Sequence, residues 1–229
     1  MVVFTVKSLI KIVSLCIIFW CCNMVAPLNF KLAFFLITFA YFLGSISSAI
    51  LLCRLFNLPD PRSKGSKNPG TTNVLRIAGK PLAASVLLLD LLKGFSIVWL
   101  AKFFAMPNLI VSIVAVAVFL GQLFPIFFNF RGGKGVAVTL GIMLALCWKL
   151  SLLCLITWIV IFMMFKISSL SAISATILAI IISIVTLFIH TNIELVTEFA
   201  FCIIILGTLI LFKHKSNIQN LINKNEGKI

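Results

Sequence analysis

The sequence predicts an all-α polytopic membrane protein, a bundle of seven transmembrane helices with a possible extra apolar helix at the N-terminus. Of its 229 residues, 62% are hydrophobic and 10% are charged, and the mean hydropathy is +1.23. Soluble chains average about 45–50% apolar and about 25% charged residues. A transmembrane helix needs roughly 20 mostly apolar residues, and windows of this kind recur along almost the whole chain. A soluble domain of this length could not bury so much apolar surface.

Seven apolar stretches follow Asn29, and each is predicted to cross the membrane. They cover about residues 30–55, 81–101, 108–129, 135–148, 150–165, 168–189 and 196–212. Only Trp148-Lys149 separates the fourth stretch from the fifth, so their boundaries are the least sharply defined. Residues 29–229 therefore form a seven-span domain that ends in a short polar tail.

The first 28 residues form an extension with three open interpretations. Lys7 and Lys11 precede an apolar run from Ile12 to Ala26, as in a signal peptide, but no small-x-small cleavage site follows. The segment could instead be an eighth, apolar helix, or translation could start at Met24. An extra helix or a misassigned start is preferred over a cleaved signal.

The net charge of +14 points to membrane topology rather than to nucleic acid. The basic residues lie in short loops between apolar spans, where the positive-inside rule predicts them, and no folded basic face for nucleic acid remains. Thirteen Lys and Arg residues fall on the face that carries the loops after spans one, three, five and seven, against five on the other. These loops are therefore predicted to face the cytoplasm from an inner membrane.

The first cytoplasmic loop has the composition of an anion-binding site. Its candidate ligand-binding residues are Ser66, Asn68, Gly70, Asn73 and Arg76. Glycines allow close backbone approach, successive N–H groups can form an anion-binding nest, and an arginine can bind phosphate through two hydrogen bonds. The alternative is a flexible basic loop that touches lipid head groups.

The second cytoplasmic loop contains Gly132, Gly133, Lys134 and Gly135, directly before an apolar run. This places glycine backbone and an ammonium group at a helix N-terminus, where the helix dipole favours anions. The pattern is not a Walker A motif, because Phe128 and Gly135 stand where Gly and Ser or Thr are needed. The alternative is a simple helix start with a lysine extended to the interface.

Two further pairs of polar residues have helical spacing. His214 and Asn217 follow the last span and are three residues apart, so they can face one ligand. Asp90 and Lys93 lie inside the second span, where ionisable groups are expensive. We expect them to form a structural ion pair facing the bundle; the alternative is that they orient the first loop.

No metal or cofactor is predicted. Only five acidic residues exist, too few for a carboxylate cluster that holds a catalytic metal. The seven cysteines lie in apolar stretches without metal-ligand spacing, so we expect small buried hydrophobes and no disulfide framework.

Taken together, these motifs resemble the bacterial acyl-phosphate:glycerol-3-phosphate 1-O-acyltransferases. The resemblance covers about residues 30–226 and rests on motifs in a fixed order. They are Gly44-Ser45-Ile46, the loop from Asp60 to Arg76, Leu89-Asp90-x-x-Lys93-Gly94, Gly121-x-x-x-Pro125, Gly132-Gly133-Lys134-Gly135-Val136, and His214-x-x-Asn217 with Glu226.

The resemblance implies a seven-span enzyme with a cytoplasmic active site. It would move an acyl chain from acyl phosphate to the sn-1 hydroxyl of glycerol 3-phosphate, forming lysophosphatidic acid and releasing phosphate. Ser66, Arg76 and Lys134 would bind substrate phosphate. Asn68, Gly70, Asn73 and the glycines between 132 and 135 would help to hold it. His214 and Asn217 would stand near the reacting groups as catalytic residues, with either His214 or a substrate phosphate as the base.

Four positions depart from the family pattern. Ser47 replaces the usual Pro after Gly-Ser-Ile, Gln122 a His, and Lys67 a Gly in the first loop. The family's second serine in Ser-Leu-Ala-Ser is Ala172 here. Ser171 is taken as its replacement in substrate binding, with Ser169 as the alternative.

A small transporter or channel for an anionic metabolite is the main alternative function. It would need polar groups near the bilayer midplane and broken helices in both halves. The expected partners are the two substrates and membrane lipid, without nucleic acid or an obligate protein partner.

Overall fold

The computed structural model describes residues 30–189 and 195–227, and within them every regular element is helical. The long helices are α1 (Phe30–Ser45), α4 (Lys80–Phe103), α5 (Asn108–Leu123), α7 (Trp148–Phe165), α8 (Ser168–Phe188) and α9 (Thr197–Lys213). The shorter ones are α2 (Ser48–Leu55), α3 (Thr71–Ala78), α6 (Val136–Leu146), α10 (Lys215–Ile222) and a 3-10 turn, Ile126–Phe128. The predicted all-α fold is confirmed, whereas the 1–28 extension lies outside the described residues.

Four of these segments are individually long and apolar enough to cross a membrane: Lys80–Phe103, Asn108–Phe128, Trp148–Phe165 and Ser168–Phe188. Two further candidates are bent pairs, α1 with α2 at 46° and α9 with α10 at 57°. The predicted fourth span, 135–148, is the 11-residue α6, which is about 16 Å long at 1.5 Å per residue. That is shorter than the hydrocarbon core of about 30 Å. The protein is thus a multi-pass membrane protein with four to six candidate spans in its described part, and the count of seven stays a prediction.

The first predicted span is broken between α1 and α2. Ser45 Oγ donates a hydrogen bond to Tyr41 O at 2.9 Å, four residues back, a bond that often bends helices. At the break, Ile46 O accepts a hydrogen bond from Lys93 Nζ at 2.6 Å. The helix therefore breaks at this point although residue 47 is a serine and not the proline of the family pattern.

Glycines bring pairs of helices into close contact at two crossings. A Cβ at Gly94 of α4 would lie 2.2 Å from Val138 O, and one at Gly141 of α6 would lie 2.0 Å from Leu91 O. Small residues at such crossings let helix backbones approach in membranes. The short α6 is therefore fixed against α4 inside the bundle. An equivalent contact joins α1 to α5, where a Cβ at Gly44 would lie 2.0 Å from Val118 O.

Candidate active site

A cavity of about 470 Å³ opens at the end of the bundle where three polar segments meet. The segments are the loop between α2 and α3, the glycine-rich loop before α6, and α10 with the tail that follows it. The cavity is lined by Gly65, Ser66, Asn68, Arg76, Gly132, Gly133, Lys134, Lys213, Ser216, Asn217, Asn220, Asn225, Glu226 and Gly227. Backbone amides, neutral side-chain donors and three cations thus face one space.

Asn73 shapes the first loop from inside. Its Oδ1 accepts a hydrogen bond from Ser66 N at 2.9 Å, and its Nδ2 donates to Pro61 O at 2.7 Å and to Lys64 O at 3.0 Å. Gly65 has a φ of +62°, and a Cβ there would lie 2.1 Å from Asn73 Oδ1. The loop is therefore closed over the Asn73 amide, and Ser66 is presented to the cavity as a result.

An arginine clamp ties the first loop to the second. Arg62 NH2 lies 2.7 Å from Asp60 Oδ2, and Arg62 NH1 donates to Phe128 O at 3.1 Å. The hydrogen bonds from Arg62 outweigh burial and lower the pKa of Asp60. Asp60 therefore stays charged and holds the guanidinium group in place.

The glycine-rich loop packs directly on the end of α5. Gly133 N donates to Gln122 O at 3.1 Å. A Cβ at Gly132 would lie 2.1 Å from Gln122 O, and one at Gly133 would lie 3.0 Å from Pro69 O. A side chain at position 132 would clash with the Gln122 carbonyl, and one at position 133 would be tight against Pro69. This close packing brings Lys134 to the cavity at the start of α6.

Lys134 is the most perturbed cation of the cavity. Burial lowers its pKa from 10.5 to about 8, with Arg76 adding to the shift and Glu226 opposing it. Each pKa unit corresponds to about 1.4 kcal/mol, so holding this ammonium charged costs about 3 kcal/mol. A bound phosphate would offset that cost.

The tail after α10 folds back and completes the cavity wall. Lys134 Nζ donates to Asn217 Oδ1, and Asn217 Nδ2 donates to Glu226 Oε1 at 2.6 Å. Ser169 Oγ donates to the same carboxylate oxygen at 2.7 Å. Burial alone would raise the pKa of Glu226, but the hydrogen bonds from Ser169 and Asn217 lower it. The carboxylate is therefore charged, and it fixes the orientation of the Asn217 amide.

Arg76 reaches the cavity from the last turn of α3. Its NH2 donates to Gly227 O over a long 3.4 Å, a bond that leaves most of its five N–H groups for other acceptors. Arg76 from α3 and Lys134 from the glycine-rich loop thus border the same space.

His214 lies behind the cavity wall rather than on it. Its side chain is buried, with 2% of the residue exposed, and Nδ1 lies 2.9 Å from Ile210 O. A carbonyl only accepts, so Nδ1 carries the proton and Nε2 has the free lone pair. Burial and the nearby Lys134 lower the pKa of His214 from 6.5 to about 4. The imidazole is therefore neutral at physiological pH and holds the turn between α9 and α10.

Seven predicted site residues line the cavity and five do not. Those on the wall are Ser66, Asn68, Arg76, Gly132, Gly133, Lys134 and Asn217. The other five are Gly70, Asn73, Gly135, Ser171 and His214. Of these, Gly70 directly precedes α3, whereas Gly135, which has a φ of +80°, directly precedes α6.

Ser171, the serine selected for substrate binding, is not among the residues that line the cavity. Ser171 is fully buried, and its Oγ donates to Ile167 O at 2.9 Å within its own helix. Ser169, the alternative, reaches Glu226 instead. Both begin α8, but positions two apart on a helix point in different directions.

Several wall residues were not selected as site residues from the sequence, although Gly65 and Glu226 belong to the motifs that carry the resemblance: Gly65, Lys213, Ser216, Asn220, Asn225, Glu226 and Gly227. The signal for part of this set was present, because Ser216 and Asn220 are four residues apart and share a face of α10 with Asn217. The residues after α10 carried no periodic signal that would have assigned them to the cavity.

The fold and the site define a multi-pass helical membrane protein with cations and glycine amides converging at one end of its bundle, an arrangement suited to anionic groups. Comparison with known proteins makes the assignment specific. Residues 32–224 match the family model of glycerol-3-phosphate acyltransferase. The chain therefore belongs to the glycerol-3-phosphate acyltransferase family.

Relatives and solved structures agree with this assignment. A glycerol-3-phosphate acyltransferase of Francisella tularensis subsp. holarctica (strain OSU18) is 46% identical over 202 residues, 88% of this chain and 95% of that protein. One of Proteus mirabilis (strain HI4320) is 47% identical over 194 residues, 85% of each chain. The crystal structure of PlsY, an integral membrane glycerol 3-phosphate acyltransferase, in its glycerol 3-phosphate form is 36% identical, with a TM-score of 0.79 over 86% of this chain and 95% of PlsY. Its lysophosphatidic acid form gives a TM-score of 0.77 at 35% identity.

Proposed function

We propose that this protein transfers an acyl chain from acyl phosphate to the sn-1 hydroxyl of glycerol 3-phosphate, forming lysophosphatidic acid and releasing phosphate. The convergence of Arg76, Lys134 and the glycine-rich loop on one cavity carries the proposal. Both substrates bear phosphate, and cations with backbone amides are the groups that bind it. The family assignment supports acylation of glycerol 3-phosphate; acyl phosphate as donor is what the resemblance to the acyl-phosphate:glycerol-3-phosphate acyltransferases implies, and the cations and amides of the cavity are compatible with it.

The cavity fits a direct transfer without an acyl-enzyme. The substrate hydroxyl oxygen attacks the acyl carbonyl carbon, the bond from that carbon to the phosphate oxygen breaks, and phosphate leaves with its electron pair. Acyl phosphate already has a good leaving group, so the protein mainly holds the reactants about 3 Å apart. Amide donors such as Asn217 Nδ2 and the glycine N–H groups stabilise the charge that develops on the carbonyl oxygen.

A substrate phosphate oxygen is the better candidate for the base. His214 lies off the cavity wall and its pKa is about 4, whereas general-base catalysis is most efficient when the pKa lies near the working pH. Glu226 already accepts hydrogen bonds from Ser169 and Asn217. The hydroxyl proton therefore passes to phosphate, and His214 contributes by holding the turn that carries Asn217.

The proposed setting is the bacterial inner membrane, with seven spans and the cavity facing the cytoplasm. The loops that form the cavity are those of the basic face, which the positive-inside rule places inside. The two bent pairs and the four long helices supply six spans. The short α6, fixed against α4 by Gly94 and Gly141, is the proposed seventh; at about 16 Å it covers only part of the hydrocarbon core and packs inside the bundle.

The transporter alternative is not favoured. Asp90 and Lys93 are charged groups within a span, but they form an ion pair of 2.8 Å that Gln122 closes with two hydrogen bonds. A closed pair of this kind stabilises helix contacts rather than lining an ion path.

Purified protein in detergent, given acyl phosphate and radiolabelled glycerol 3-phosphate, tests the proposal. We expect labelled lysophosphatidic acid without any added protein, and none when acyl-CoA or acyl-carrier protein replaces acyl phosphate. Lys134→Met should lower kcat/KM at least 100-fold, on the order of a lost charged contact of 3 kcal/mol. Lys64→Met, which removes an exposed charge from the first loop, is the matched control and should act like the wild type. Product formed only from acyl-CoA would overturn the choice of donor, and no product with any donor would overturn the proposed activity.

A further inference from the structure

Three buried polar side chains form a closed group inside the bundle, just beneath the glycine-rich loop. Asp90 and Lys93 come from α4 and Gln122 from the end of α5; 3%, 7% and 5% of these residues are exposed. Lys93 Nζ lies 2.8 Å from Asp90 Oδ1 and donates to Gln122 Oε1 at 3.0 Å. Gln122 Nε2 donates to Asp90 Oδ2 at 3.1 Å. The amide thus places its acceptor on the cation and its donor on the carboxylate.

The group is connected to two of the three segments that form the cavity, the first loop through the start of α2 and the glycine-rich loop. Lys93 Nζ donates to Ile46 O at 2.6 Å, at the break from which α2 leads to the first loop. Gln122 O accepts from Gly133 N at 3.1 Å, and Gly133 lines the cavity next to Lys134. One residue, Gln122, therefore holds the ion pair with its side chain and the glycine-rich loop with its backbone.

The Ile46 carbonyl, which lies at the break between α1 and α2, indicates that the group does more than hold α4 and α5 together. Unpaired backbone groups are costly in the low-dielectric interior of a membrane protein, so the break depends on the ammonium that satisfies it. A buried ion pair by itself adds little net stability. A group that fixes a helix break and a ligand loop relative to one another is better explained by positioning.

We propose that Asp90, Lys93 and Gln122 act as one positioning group that sets the glycine-rich loop, and with it Lys134, at the correct distance from the first loop. The inference rests on the proposed acyltransferase function. None of the three side chains touches the cavity, so they are positioning residues rather than catalytic ones. Their effect is on substrate affinity and rate per folded molecule.

Gln122→Leu is the sharpest test, since it removes both amide contacts and leaves the backbone carbonyl that Gly133 uses. Misplacing reacting groups by about 1 Å can reduce the rate about 100-fold. We therefore expect kcat/KM for glycerol 3-phosphate to fall 10- to 100-fold, with a raised KM, when rates are divided by the amount of folded, monodisperse protein. Gln122→His should recover most of this loss, because a neutral imidazole offers one donor and one acceptor, as the amide does here.

Ser112→Ala is the matched control on the same helix. Ser112 is also buried and donates to Glu198 O at 3.2 Å, away from the cavity. The Ser112→Ala substitution should lower thermal stability without changing KM or kcat by more than about twofold.

The possible outcomes distinguish failure of the proposed acyltransferase function from failure of the positioning role. Wild-type protein that makes no lysophosphatidic acid defeats the proposed function. Active wild type with an unchanged kcat/KM in Gln122→Leu overturns the positioning role, as does a loss that Gln122→His shares in full. If Gln122→Leu does not fold, Gln122→Asn, whose shorter side chain cannot reach both partners, takes its place. If neither variant folds, the group serves folding alone and the proposal is wrong.

Discussion

Lys134 should give the reaction an alkaline limit, because burial lowers its pKa to about 8. Only the protonated ammonium attracts substrate phosphate by charge, and kcat/KM reports the ionisation of the free enzyme. At about pH 9, one unit above this pKa, roughly a tenth of the lysine is protonated, so kcat/KM should be about tenfold lower than at pH 7. The substrate does not titrate in this window, since the second pKa of a phosphate ester is about 6.

Unfolding does not explain such a fall. The pKa of Lys134 in the folded protein lies below its unfolded value of 10.5. Between these two values the unfolded chain binds more protons than the folded one, so the contribution of Lys134 to stability rises with pH across that window. Activity and the stability contribution of this group are therefore expected to change in opposite directions.

The assay measures initial rates of lysophosphatidic acid formation from about pH 6.5 to about pH 9.5 for the wild type and Lys134→Arg. Arginine keeps its charge over this whole range, so the variant's kcat/KM should stay level even if its absolute rate is lower. Alkaline breakdown of acyl phosphate affects both proteins equally. A level wild-type profile, or a parallel fall in Lys134→Arg, would refute the assignment of the alkaline limit to Lys134.

Three other predictions follow from single residues. Lys67→Gly should stabilise the protein by about 1 kcal/mol, because Lys67 has a φ of +57° and a left-handed backbone costs other residues about 1–2 kcal/mol. Lys64→Gly removes the same charge from the same loop, and an equal gain in melting temperature there would contradict this cause. His214, with a pKa of about 4, should contribute no inflection to kcat/KM near pH 6.5, so any inflection there from the substrate phosphate should persist in His214→Asn; one that disappears in that variant would show that His214 titrates in catalysis. Gly141→Leu should not yield folded protein, since even a Cβ would lie 2.0 Å from Leu91 O, and normal elution on size exclusion would count against the α4–α6 contact.

Hydropathy located most of the helices but could not show where one breaks. The predicted spans 150–165 and 168–189 match Trp148–Phe165 and Ser168–Phe188 to within two residues, because polar residues bound each apolar run. The stretch 30–55 is one apolar run by hydropathy, with charges only near its ends at Lys31 and Arg54. It nevertheless breaks near Ile46 through the Ser45 side chain and a lysine from another helix. A hydropathy window averages over residues that are adjacent in sequence, so it cannot detect contacts between distant segments.

Loop composition selected segments that line the cavity but not the task of each residue within them. Asn73 and Asn217 are both asparagines in motif-bearing segments. The Asn73 amide bonds to Ser66, Pro61 and Lys64 of its own loop, whereas the Asn217 amide lines the cavity. Short polar side chains bond readily to nearby backbone, so residue type alone leaves both roles open.

Glu226 places a negative charge in a cavity whose other charged lining residues are cations. The contacts of its carboxylate explain how this charge is compatible with an anionic substrate. Its charge raises the pKa of Lys134 against the effect of burial, so part of the ammonium's charge is kept at neutral pH before substrate arrives. Its Oε1 also accepts from Asn217 Nδ2, which turns Asn217 Oδ1 towards Lys134. An amide held in this way has one N–H left for the reacting groups. The repulsion between Glu226 and an incoming phosphate is therefore offset by a cation kept charged and an amide kept in one orientation.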